Sequence, residues 1–147
     1  MLKNTYRALL IFLVLFAGCS PRESSEVTDI QGPLSEMKAL YWANVVANRE
    51  GGFITRINPD HMYDSMGQSL SKNSWIVLKY SWDDIEVGDV ISFRRGDGWI
   101  LHEVILKSES GDAVRTKGSN NKTADETVFQ DNYRGTMILQ VYYRKNS

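Results

Sequence analysis

Two side chains in this sequence could act as a chemical pair. One is the hydroxyl of Ser65, in Met62-Tyr63-Asp64-Ser65-Met66-Gly67; the other is the imidazole of His102, in Trp99-Ile100-Leu101-His102-Glu103-Val104. A hydroxyl becomes a useful nucleophile when a neighbouring base takes its proton, and a neutral imidazole suits that role near pH 7. His102 falls in a strand-like run, so Ile100, His102 and Val104 share one face while Trp99, Leu101 and Glu103 share the other. Aliphatic neighbours disfavour the charged ring, which leaves the neutral form that a general base requires. The plainer alternatives are a core histidine satisfied by a backbone carbonyl and an ordinary turn serine. Asp83, Asp84 and Glu86 also gather carboxylates, but consecutive acids in a loop are usually solvated, and no metal is assigned to them. His61 reads as an exposed loop residue.

These residues need a frame. Val90 to Arg94 and Trp99 to Leu106 are β-branched and aromatic runs, and Gly96-Asp97-Gly98 between them supplies the positive-φ residues of a tight hairpin turn. Further strands are expected at Phe53 to Ile57, Ser74 to Tyr80, Ala113 to Lys117 and Met137 to Tyr143, with turns at Asn58-Pro59-Asp60 and Gly118-Ser119-Asn120-Asn121. A helix opens at Ser35, its cap, and carries Met37, Leu40, Tyr41 and Val45 as an apolar stripe expected to pack on the sheet; Gly51-Gly52 ends it. The expected fold is mainly β, a bent antiparallel sheet or partly open barrel with one N-terminal helix.

The order of these pieces resembles signal peptidase I. Ser65-Met66 with Ser69-Leu70, then Gly88-Asp89-Val90-Ile91, then His102 before Val104-Ile105, then Thr116-Lys117-Gly118 with Asn120, Asn121 and Asp125, is similar to the Ser/His branch typified by endoplasmic-reticulum and archaeal enzymes, and more distantly to LexA-type self-cleaving domains. The resemblance covers roughly residues 53 to 141. It implies a serine endopeptidase with Ser65 as nucleophile and His102 as base. It further implies an extended peptide substrate lying along a strand edge with small side chains before the cut, and no cofactor. Ser119 stands where relatives carry an Asp, which leaves Asp125 to orient the imidazole. Gln68 replaces a proline and Glu103 an arginine of the usual pattern. Many bacterial relatives use a lysine base, but it aligns with His102, and neither Lys107 nor Lys117 occupies that place.

The 147 residues carry a formal charge of −1, which offers no electrostatic case for nucleic acid. Lys3 and Arg7 precede an apolar run from Ala8 to Phe16, a targeting segment too short for the roughly 20 residues of a membrane span. Cys19, the only cysteine, follows Ala17-Gly18 and resembles the lipidation site of bacterial lipoproteins. Residues 1–18 are thus expected to be a lipoprotein signal peptide, 19–33 a lipidated N-terminus and polar tether, and 34–147 the signal peptidase-like domain. Lipid on Cys19 would hold the protein to the cell envelope, facing the periplasm or exterior. Ser20 after the cysteine favours the outer membrane in a Gram-negative source. A second function class stays open: a non-catalytic lipoprotein of the same fold that binds a peptide or envelope partner.

Overall fold

The computed structural model describes residues 34–56, 66, 70 and 73–144. Among the described residues, helix α1 (Glu36–Glu50) precedes seven strands: β1 (Phe53–Arg56), β2 (Ser74–Lys79), β3 (Val90–Arg95), β4 (Gly98–Lys107), β5 (Ala113–Lys117), β6 (Thr127–Phe129) and β7 (Tyr133–Tyr142). They form a single antiparallel sheet in the order β1-β2-β7-β3-β4-β5-β6. The mainly β class with one helix agrees with the expectation. Closure does not occur, since β1 and β6 end the sheet without pairing to each other. β6 was not legible in the sequence: it is three residues long and takes its register from β5, with Ala113 opposite Phe129.

The β3–β4 hairpin forms as its composition requires. Arg95 pairs with Gly98, leaving the two-residue turn Gly96-Asp97. Only Gly96 takes positive φ, at 57°. A positive first residue followed by a negative second is the type II′ pattern, whose twist matches that of the strands. Gly98 therefore begins β4 instead of serving the turn. Gly88 and Asp89 tie the connection from β2 to the same hairpin: Gly88 N donates to Val104 O and Val104 N to Asp89 O, both at 2.8 Å. The Asp89 side chain accepts from Glu86 N at 2.9 Å and so closes a turn.

Helix α1 starts and stops where expected but rotates its faces. Ser35 Oγ accepts from Lys38 N at 3.3 Å, and Gly51 ends the helix in the left-handed region at φ 67°. The buried positions are Ala39, Ala43 and Ala47, packed against Val77, Leu139, Val141 and Tyr143. Met37, Tyr41 and Val45 are exposed, so the anticipated core stripe points to solvent and only Leu40 of that set is partly covered. The reason is local bulk. The sheet beneath is built of large side chains, and an alanine face lets the helix approach it closely, whereas a Met-Tyr-Val face would stand off. Arg56 on β1 joins the helix to the sheet, pairing with Glu36 at 2.8 Å and donating to the Tyr143 hydroxyl.

Two further apolar clusters lie on the rest of the sheet. Ile91, Phe93, Val104, Val114, Val128, Tyr133, Trp82 and Ile85 make one; Ile100 packs against it, so it lies on the His102 side of β4. Met66, Leu70, Ile76, Leu78, Leu101 and Met137 make the other, on the side to which Leu101 points.

Candidate active site

Three adjacent strands deliver the described part of the site to one face. Arg95 alternates in step with Ile91 and Phe93 on β3; His102 lies opposite Ile91 on β4; Thr116 lies opposite Val104 on β5. Asp125 follows β5 after a turn and is fixed there by its backbone N, which donates to Thr116 O at 2.8 Å. Its carboxylate then sits among the three side chains. Oδ2 lies 2.5 Å from His102 Nδ1 and accepts from Thr116 Oγ1 at 2.8 Å, while Oδ1 accepts from Arg95 Nη1 at 3.2 Å.

Burial separates the members. His102 is 2% exposed and Asp125 6%, whereas the Arg95 side chain is 59% exposed and closes the carboxylate off from outside. Phe93 packs edge-on against the imidazole with ring centroids 6.1 Å apart. A pocket of about 380 Å³ opens beside this cluster, lined by Phe93, Arg94, Arg95, Asp125, Glu126 and Asn132 among others. The arrangement fixes the ring chemically. With Nδ1–H donated to the carboxylate, the Nε2 lone pair is the one left for another hydroxyl.

The structure therefore brings His102 and Asp125 together. Ser65 and Cys19 lie outside the described residues, as do Gln68 and His61. Met66, next to Ser65, is buried and packs in the cluster that contains Leu101, whose side chain leaves β4 on the face opposite His102. Lys107 is committed elsewhere, donating from Nζ to Ile85 O at 2.8 Å and Asp83 O at 3.3 Å. Lys117 stands opposite Glu103 on the far face of β5 from Thr116. Two members of the cluster were missed in the sequence. Thr116 was legible as part of a motif without a role, and strand alternation on β5 would have placed it beside His102. Arg95 carried no signal, because its contact depends on where the chain after β5 returns.

Comparison of the chain with protein-family models, with curated proteins and with solved structures finds no match.

Proposed function

We propose that the chain is a lipid-anchored serine endopeptidase of the signal peptidase and LexA type, acting on extended peptides at the extracytoplasmic face of a bacterial envelope. The observation that carries this reading is the buried His102–Asp125 pair at 2.5 Å, with Thr116 and Arg95 supporting the carboxylate. This is the half of a triad that orients a base and stabilises the imidazolium formed when it accepts a proton. In the proposed reaction Ser65 Oγ loses its proton to His102 Nε2 and attacks the scissile carbonyl. Backbone N–H groups near Ser65 receive the oxyanion, and the imidazolium returns the proton to the leaving amine. Asp125 holds the ring in place.

A specific observation favours a second reading, a peptide-binding lipoprotein without catalysis. The ring is almost wholly buried, and Met66, the neighbour of Ser65 in the sequence, packs on the sheet face away from it. In that case the His102–Asp125 pair is a structural link between β4 and the chain after β5.

The test uses the full chain in vesicles with peptides that carry Ala-x-Ala sites, beside Ser65→Ala, His102→Ala and Asp125→Asn variants. Catalysis predicts cleavage that Ser65→Ala and His102→Ala abolish and that Asp125→Asn reduces by about 10⁴, as loss of the orienting carboxylate does in the triad template. Cleavage indifferent to all three removes the mechanism. Saturable peptide binding without cleavage, unchanged by Ser65→Ala, supports the second reading.

A further inference from the structure

We propose that the outward face of α1 is a membrane-docking surface that rests on the lipid headgroup and acyl boundary. The inference rests on membrane anchorage through the N-terminal segment and is independent of peptidase activity. Met37, Tyr41 and Val45 recur every fourth residue, so they stack on one side of the helix, and Met37 is 81% and Tyr41 62% exposed. Trp42 adds a half-exposed ring in edge contact with Tyr41, the centroids 5.5 Å apart. The opposite side is already spent on the sheet through Ala39, Ala43 and Ala47. A helix with apolar residues on both sides carries more apolar surface than its own fold covers.

The chemistry of the exposed side selects the occupant. Tyrosine and tryptophan are the side chains that settle at membrane interfaces, with an apolar ring and a polar edge. At 100° per residue, Lys38 falls on the outward side near Trp42, within reach of phosphate groups; Arg49 falls there too, with its Nε donated to Glu50 at 2.7 Å. Glu36 instead turns to Arg56 on β1.

Chain length completes the argument. Sixteen residues, Ser20 to Ser35, separate Cys19 from the helix, so the helix cannot be more than about 60 Å from an anchor at Cys19 even with the chain fully extended. Confinement of that kind replaces a bimolecular encounter with an intramolecular one, so a modest apolar area suffices. Such docking would turn the β1, β2 and β7 part of the sheet, on which α1 packs, toward the lipid. The His102 cluster would be held at the other end of the sheet, toward β5.

The experiment places the full chain in phosphatidylcholine vesicles with brominated acyl chains and compares tryptophan emission with that in unbrominated vesicles. Trp42 is one of four tryptophans, and docking predicts that wild type is quenched while Trp42→Phe loses most of that quenching. A chain with Met37→Ser, Tyr41→Ser, Trp42→Ser and Val45→Ser should still float with the vesicles through Cys19, because these side chains face outward, yet show no quenching. The proposal is overturned if the wild-type chain does not float, if it floats unquenched, or if Trp42→Phe is quenched as strongly as wild type. A concentration-dependent dimer in detergent that the fourfold variant abolishes, without quenching in vesicles, would also overturn it and assign the face to a second copy of the chain.

Discussion

Asp112 and Asp125 flank β5 and collect donors at nearly the same distances, yet they play different parts. Asp112 accepts from Ser108 Oγ at 2.8 Å and Ser110 Oγ at 2.5 Å; Asp125 accepts from Thr116 Oγ1 at 2.8 Å and faces His102 Nδ1 at 2.5 Å. Asp112 is exposed and closes the β4–β5 turn, where water can replace either serine at little cost. Asp125 is buried, and so are two of its partners, His102 and Thr116. A hydrogen-bond distance therefore says little about consequence until the surroundings are known, because the penalty for an unmade bond falls on buried groups.

The largest test of this difference is Asp125→Ala. It leaves His102 Nδ1 and Thr116 Oγ1 without their acceptor inside the protein and frees Arg95 into solvent. The expected loss is roughly 2–4 kcal/mol, between the penalty for a buried unsatisfied group and that for a broken buried ion pair. Urea unfolding of the variant against wild type measures it. A loss below about 1 kcal/mol would mean that water enters the cluster and that the two aspartates are alike after all.

A finer test compares hydroxyls. Thr116→Val keeps the shape and removes one donor to Asp125 Oδ2 at a fully buried position, so it should cost about 1–2 kcal/mol. Ser110→Ala removes a bond of similar length at Asp112 and should stay within about 0.5 kcal/mol. Equal costs would contradict the role given to burial.

What the sequence disclosed follows the same division between local and distant causes. The β3–β4 hairpin was legible because a turn glycine and a period of two are local rules, and His102 was placed on the correct face for that reason. The resemblance pointed to Asp125, and the fold brings its carboxylate to His102. α1 was half legible. Ser35 and Gly51 act within one helical turn of the ends they mark, but the choice of the Ala39-Ala43-Ala47 face over Met37-Tyr41-Val45 depends on the bulk of Val77, Leu139 and Tyr143, contributed by distant strands. Hydrophobicity alone misassigns such a helix, since closeness of approach can outweigh side-chain size. β6 and the Arg95 contact escaped for a related reason: both depend on the path of the chain after Lys117, where composition indicates a turn and not its destination.

Acid provides the smallest and most selective test. The Asp112 carboxyl is held below its ordinary value of 3.8, first by the Ser110 hydroxyl and then by that of Ser108. A carboxyl depressed in the folded state stabilises that state at pH values above its unfolded value, and the contribution disappears as pH falls through the folded value. Wild type should therefore melt slightly above Asp112→Asn at pH 7, and the gap should close as the buffer passes downward through the carboxyl range, below about pH 4. Because the group lies in water the gap is small. Thermal melts of both chains across that range decide the matter. A gap that persists unchanged into strong acid would assign the effect to the neutral geometry of the Ser108–Asp112 turn, and Asp112 would then differ from Asp125 in kind of interaction as well as in exposure.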